Sequence, residues 1–189
     1  MLARAALPHR ARVRYAWRMA ATLTVVDAAE EHLAGMASIY AIAARDTPAT
    51  FDMEGHPLSW WRGALGAVDP AAGIFLLAAV GADGQVLGYA KSTPFRERPA
   101  YDSTREVSVY VAEAARGRGV GRALYDELLP RVEASGRRLA VGGVTEPNPA
   151  STRLHLACGF SVVGTFVGVG TKFGRLWDVT WYQRALGAR

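Results

Sequence analysis

This sequence predicts a mixed α/β layer fold in one domain, and three observations carry that expectation. Apolar residues switch between the strand period and the helix period along the chain, in the order β-α-α-β-β-β-α-β-α-β-β. With 189 residues, half of them apolar, the chain can build one sizeable core but is short for two. The alternation Val107, Val109, Val111 runs into the glycine-rich stretch Arg116-Gly117-Arg118-Gly119-Val120-Gly121 and then into an amphipathic segment. That is a strand-to-helix turn of the kind at which α/β sheets hold ligands.

Leu23 to Val26 is a short apolar and β-branched run, and Glu30 to Ala44 then carries Leu33, Met36, Ala37, Ile39 and Tyr40 at helical spacing. Thr47-Pro48 breaks that helix, and Trp60 to Val68 is a second short one before the boundary at Asp69-Pro70. Ile74 to Val80 and Gln85 to Ser92 flank the turn Gly81 to Gly84 and read as an antiparallel hairpin, with Glu106 to Val111 as the next strand. Val120, Ala123, Leu124, Leu128 and Val132 share one face of the following helix, with Arg122, Asp126, Glu127 and Arg131 mostly off it. Leu139 to Val144 is a buried strand, and Asn148 caps a helix that begins at Pro149 and ends near Gly159. Two late strands, Ser161 to Val169 and Leu176 to Gln183, close the sheet.

The net charge of +5 has a local origin. Arg4, Arg10, Arg12, Arg14 and Arg18 all precede the first acidic residue, Asp27, and without them 17 basic residues face 17 acidic ones. The folded part therefore carries no general basic face, and no nucleic-acid partner is expected. Residues 1–22 are set apart as a basic, disordered or accessory extension, with residues 23–189 as the domain. An Arg-rich targeting segment, or upstream sequence ahead of a start at Met19, are the other readings of that stretch. No apolar run approaches the roughly 18–20 residues that cross a bilayer, so no membrane partner is expected. The one cysteine, Cys158, permits no internal disulfide and fits a reducing cytoplasm. Cys158 lies three residues from His155, but no third orienting group supports a Cys-His nucleophile, and His9, His32 and His56 show no ligand spacing, so no metal is expected.

Chemistry concentrates at the glycine-rich turn. Glycines there can take positive φ, so consecutive backbone N–H groups can converge on an anion, while the helix N-terminus and the arginines add positive charge. Diphosphate is the natural guest. The spacing is neither G-x-G-x-x-G nor G-x-x-x-x-G-K-[ST], which disfavours nicotinamide cofactors and nucleoside triphosphates. One short stretch earlier, period-two alternation puts Val107, Val109 and Val111 on one strand face and Glu106, Ser108 and Tyr110 on the other. Glu106 is thus a candidate general base whose partial burial would raise its pKa toward the working range, or alternatively a strand-end partner for Arg105 or Arg96.

Arg-x-x-Gly-x-Gly preceded by Val-Tyr-Val, followed by Asn148-Pro-Ala-Ser-x-x-Leu-His and then Gly159-Phe160, resembles the GNAT acyl-CoA-dependent N-acetyltransferases over about residues 23 to 186. The segment Ala100-Tyr101-Asp102-Ser103-Thr104-Arg105-Glu106-Val107-Ser108-Val109-Tyr110-Val111 is similar to the phosphinothricin and methionine sulfoximine acetyltransferase branch, in which the matching glutamate is the proposed base. The resemblance implies a GNAT fold, with a mostly antiparallel sheet of about seven strands flanked by about four helices. It also implies acetyl-CoA as co-substrate, a small amine acceptor and a homodimer.

By the same resemblance, acetyl-CoA is held by the backbone of Val109, Tyr110 and Val111, by Arg116, Gly117, Arg118, Gly119, Val120, Gly121 and Arg122, and by Asn148 and Ser151. His155 stands where many members carry a tyrosine, so it would protonate the leaving thiolate or, if neutral, orient the amine. Phe95, Arg96, Thr104 and Arg105 match substrate-contacting positions, and an arginine fork suits an acceptor carboxylate. The chain departs from the branch in two places. Lys172-Phe173-Gly174-Arg175-Leu176-Trp177-Asp178 exchanges a tryptophan and a leucine, and Ala41 replaces a frequent asparagine. The activity expected is acetyl transfer to the primary α-amine of a small amino acid or analogue. Another amine, such as a metabolite or a protein N-terminus, and a non-catalytic acyl-CoA-binding module are the alternatives.

Overall fold

The computed structural model describes residues 14–15 and 23–187. The basic extension expected over residues 1–22 lies outside the described residues except for Arg14–Tyr15, which form a two-residue strand, β1. The remaining elements follow the expected order: β2 (Leu23–Asp27), α1 (Glu30–Asp46), α2 (Leu58–Gly66), β3 (Leu76–Val80), β4 (Val86–Pro94), β5 (Thr104–Val111), α3 (Val120–Ala134), β6 (Leu139–Thr145), α4 (Pro149–Ala157), β7 (Ser161–Lys172) and β8 (Arg175–Ala185). Seven long strands and the short β1 make one sheet in the order β1-β2-β3-β4-β5-β6-β8-β7. Every neighbouring pair is antiparallel except β5 with β6.

The expected periodicities appear as burial. Leu33, Met36, Tyr40 and Ala44 of α1 pack with Trp61 of α2 and with Leu76, Ala78 and Tyr89 on one face of the sheet. Val120, Ala123, Leu124, Leu128 and Val132 of α3 pack on the opposite face with Leu77, Ala79, Ala90 and Val107, joined by Cys158 and Phe160 after α4. Cys158 is buried packing, with no disulfide.

Strand bounds differ from expectation mainly at the ends, because pairing extends past the apolar residues. β5 begins at Thr104, two residues early, where Thr104, Arg105 and Glu106 pair in parallel with Leu139, Ala140 and Val141. β7 runs to Lys172 because a two-residue turn at Phe173 and Gly174, both at positive φ, joins it to β8. Only glycine holds that conformation without strain.

One feature of the sheet positions the site. β5 and β6 are paired only from Thr104 to Glu106, after which β5 stays with β4 and β6 stays with β8. The two strands fork, and each leaves one backbone edge facing the gap. His155 of α4 wedges the fork open: a Cβ at Gly142 would stand 2.9 Å from its Nε2 and 3.3 Å from the Val107 carbonyl oxygen.

Candidate active site

The fork opens into a cleft of about 480 Å³, walled by the free edge of β5 from Val107 to Val111, the start of α3, the start of α4, and Ile39 and Ala43 of α1. At its mouth Gly117 and Gly119 hold φ of 72° and 79°, and α3 begins immediately after Gly119 with no side chain capping its first N–H groups. Those donors face the cleft at the positive end of a helix, as an anion cradle requires. Gly121 is needed for a different reason, since a Cβ there would meet Leu154 Cδ2 at 3.0 Å.

Of the residues expected to hold the donor, Val109, Tyr110, Val111, Arg116, Gly117, Gly119, Val120, Gly121, Arg122, Asn148 and Ser151 all line this cleft. Arg118 is exposed and is not part of its wall. Arg122 ties the two helices together, its Nε on Asp126 at 2.7 Å and its Nη1 on the Ala157 carbonyl at 3.1 Å. Asn148 is the N-cap, its Oδ1 accepting the Ser151 N–H at 3.1 Å.

His155 lies at the back of the cleft, only 5% exposed. Its Nδ1 sits 2.8 Å from the Ser151 carbonyl, which requires a proton on that nitrogen, and its Nε2 is 3.1 Å from the Tyr125 hydroxyl, which can then donate to it. Both ring nitrogens are taken in the neutral tautomer. Burial pushes the imidazole below its ordinary range, partly opposed by the bond to Ser151. Tyr125 is a site residue that sequence reasoning missed, although it stands beside Leu124 on the inward side of α3.

The other face of β5, with Glu106, Ser108 and Tyr110 in phase, carries a second set of polar side chains. Glu106 is half-buried at the last position where β5 still pairs with β6. Burial pushes its carboxyl above the usual carboxylate range, against the pull of Arg96 and Lys91. Beside it Tyr40, Tyr110, Thr50, Asp52, His56 and Trp60 form a connected polar and aromatic wall. The Tyr40 hydroxyl donates to Asp52 and lies 3.0 Å from Thr50 Oγ1, while His56 Nε2 is 3.0 Å from Asp52 and its ring stacks on Trp60 at 4.1 Å. Burial pushes the Tyr110 hydroxyl up to about 12, so it stays protonated.

Lys172 fixes this wall from behind. Only 2% exposed, it donates to the carbonyls of Ala44, Thr50 and Asp52, while the Phe51 ring approaches Gly170 so closely that a Cβ there would stand 2.1 Å away. Trp177, on the exchanged side of the late run, donates its indole N–H to the Lys172 carbonyl at 2.9 Å, and Leu176 is exposed. Ala41 sits where the α1–α2 loop comes closest, since a Cβ on Gly55 would lie 2.6 Å from its own Cβ.

The four expected acceptor contacts do not converge. Arg105 is 1% exposed on the opposite face, donating to the carbonyls of Ala72, Asp102 and Thr104 and to the Asp102 carboxylate. It is a structural clamp, turned away because Arg105 is in phase with Val107 and not with Glu106. Thr104 is in phase with Glu106 but buried. Phe95 and Arg96 line a separate open depression of about 600 Å³ at the end of β4, with the Arg96 guanidinium 4.0 Å over the Phe95 ring. Among the described residues there is no group of three or more His, Cys, Asp or Glu that could hold a metal, and no helix is long and apolar enough to cross a membrane.

Residues 36–160 match the Acetyltransferase (GNAT) family. The chain belongs to that family. It is 42% identical over 167 residues to a phosphinothricin N-acetyltransferase of Streptomyces coelicolor, covering 88% of this chain and 98% of that one. It is 35% identical over 160 residues to an L-methionine sulfoximine/L-methionine sulfone acetyltransferase of Pseudomonas aeruginosa, covering 85% and 92%. The crystal structure of a GNAT superfamily phosphinothricin acetyltransferase from Sinorhizobium meliloti in complex with acetyl-CoA superposes with a TM-score of 0.83 at 32% identity, over 87% of this chain and 89% of that one. The fork between β5 and β6 and the cleft it opens thus belong to a GNAT acetyltransferase, and the expected GNAT fold is the one observed.

Proposed function

We propose that this GNAT enzyme transfers acetyl from acetyl-CoA to the primary α-amine of a small amino acid or analogue, of the phosphinothricin or methionine sulfoximine type, by direct attack. The observation that carries the reading is Glu106: a half-buried carboxylate with a raised pKa, at the fork, between the donor cleft and the polar wall of Tyr40, Asp52 and Tyr110. Its relatives' named substrates support the acceptor class.

Acetyl-CoA supplies the activated acyl group. The N–H groups after Gly119 hold its diphosphate, with Arg116 at the mouth, and the open edge of β5 from Val109 to Val111 pairs with its pantetheine arm and donates to the thioester oxygen. Asn148 and Ser151 close the other wall of that channel. Glu106 takes one proton from the acceptor ammonium, directly or through a water. The freed amine forms the C–N bond to the acetyl carbon as the C–S bond breaks, and the second nitrogen proton passes through water to the departing CoA thiolate. His155, neutral and held at both nitrogens, acts by position, keeping the fork open behind the reacting groups.

The same reading carries a cytoplasmic enzyme that works as a homodimer. β7 is an edge strand and exposes Val162, Val163, Phe166, Val167 and Val169, an apolar face that a second copy would cover. Sedimentation at twice the 20.3 kDa chain mass is expected, and a monomer at micromolar concentration would reject the pairing.

Release of the CoA thiol tests the function. Purified protein with acetyl-CoA is offered phosphinothricin, methionine sulfoximine, methionine sulfone, ordinary amino acids and polyamines. Turnover with the first three is expected, while release with polyamines alone would move the enzyme to another acceptor class. Absence of release with every amine offered would leave an acyl-CoA-binding module.

A further inference from the structure

Lys91 is the cation that the sequence reading passed over. It lies on β4 in phase with Tyr89, whose ring is fully buried against α1 and α2, and with Thr93, so it is the one charge on that strand face. In the β4–β5 register Lys91 faces Ser108, which lines the donor cleft, and the next pair on the same face is Thr93 with Glu106. Lys91 is therefore a diagonal neighbour of the proposed base. Its ammonium lies 5.6 Å from the Trp60 ring centroid.

Two opposite charges share this face of the sheet without closing on each other. Lys91 and Glu106 are both half-buried, and each acts electrostatically on the other. Yet neither side chain makes a hydrogen bond, or an ion pair within 4.0 Å, to any described residue. Asp52, the other carboxylate that Lys91 feels, is already occupied by the Tyr40 hydroxyl and His56. Half-buried charges left unpaired are costly, and burial indeed pulls the Lys91 ammonium below its ordinary range. The arrangement suits a guest that brings both missing partners, an ammonium for Glu106 and an anion for Lys91. Of the arginines expected to take that anion, Arg105 is engaged on the far face, while Arg96 lies over Phe95 at the end of β4 and reaches Glu106 only through its field.

We propose that Lys91 is a specificity-determining residue that binds the carboxylate of a zwitterionic acceptor while Glu106 receives its amine. This rests on the amino-acid reading of the acceptor and adds to it the side chain that selects amino acids over simple amines.

The test compares L-methionine sulfone with 3-(methylsulfonyl)propylamine, the same molecule without its carboxylate, on the wild type and on Lys91→Met and Lys91→Arg. The wild type is expected to prefer methionine sulfone. Lys91→Met raises KM for methionine sulfone about 10- to 100-fold, leaves KM for the propylamine within about twofold, and leaves acetyl-CoA affinity unchanged, while Lys91→Arg restores most of the preference. An equal rise for both amines would overturn the proposal and leave the acetyl-transfer reading standing, as would a wild type indifferent to the carboxylate. Should the wild type turn over neither amine, the amino-acid reading itself fails. Binding of methionine sulfone in the presence of CoA, followed by calorimetry, then judges Lys91 separately: weaker binding to Lys91→Met supports its role, and equal or absent binding rejects it.

Discussion

The proposed donor cleft and the proposed acceptor side meet along β5 and are built by opposite means. The proposed donor side is chiefly backbone: the free edge of β5, the turn at Gly117 and Gly119 and the uncapped start of α3 lie within Val107 to Arg122, with Asn148 and Ser151 of α4 across the cleft. The proposed acceptor side is side chains, Tyr40 of α1, Asp52 of the α1–α2 loop, Trp60 of α2, Lys91 of β4 and Glu106 and Tyr110 of β5, with Lys172 holding the loop in place. A backbone site tolerates changes of side chain and fixes a constant ligand. A side-chain site can be altered one residue at a time, so the acceptor can change while the donor does not.

The sharpest way to break that division is Glu106→Gln. Turnover is expected to fall about 10²- to 10⁴-fold with acetyl-CoA affinity unchanged, read by thiol release and by calorimetry. The pH dependence follows from the direction of its shift. A base must be deprotonated to act, so wild-type kcat/KM should fall as pH drops through a Glu106 pKa lying above the usual carboxylate range. Lys91 on β4, Arg96 beyond it and Tyr110 on β5 are the groups coupled to that titration. The Gln variant should lose this acid limb, and an unchanged rate would remove Glu106 as the base.

Gly119→Val makes the converse change. A β-branched residue forced to φ near 79° is strained by roughly 1–2 kcal/mol, and relief of that strain turns the first N–H groups of α3 away from the cleft. The dissociation constant for acetyl-CoA should rise about tenfold, measured by calorimetry. The ratio of kcat/KM between two acceptors should stay the same, since no acceptor contact has moved. A changed ratio would show that the two regions are coupled.

The same division explains what could be read in the sequence. The donor side was legible because its parts are contiguous: alternation in Val107 to Val111, glycines at two-residue spacing, and the cap at Asn148 each mark a local backbone geometry. Arg118 was misplaced in the cleft because the run names which residues turn but not which side chains face inward. On the acceptor side, Glu106 followed from strand phase, and the same phase rule placed Arg105 on the wrong face for the role that similarity suggested. Lys91 carried a signal, a charge in phase with Tyr89, that only the register to β5 makes meaningful. Asp52 and His56 carried none, and Lys172 only its place in the late run, because the contacts joining α1 and the loop after it to the end of β7 span 120 residues and more.

His155 sits where the two regions meet, and Tyr125→Phe asks to which it belongs. In the wild type the Tyr125 hydroxyl meets Nε2 and the Ser151 carbonyl meets Nδ1, so the nitrogen toward the fork carries no proton to give. A histidine held this way serves the geometry of the fork, where its ring fills the space beside Gly142. Removing the hydroxyl leaves Nε2 buried without its donor, which should destabilise the fold by about 1–2 kcal/mol and lower Tm by a few degrees. Turnover should change less than about tenfold, because no proton path is cut. Nitrogen NMR of the wild-type imidazole should show the proton on Nδ1 at neutral pH. A loss of turnover comparable to that of Glu106→Gln would instead make Tyr125 and His155 the route by which the leaving thiolate is protonated, and the donor side would then depend on side chains as much as the acceptor side does.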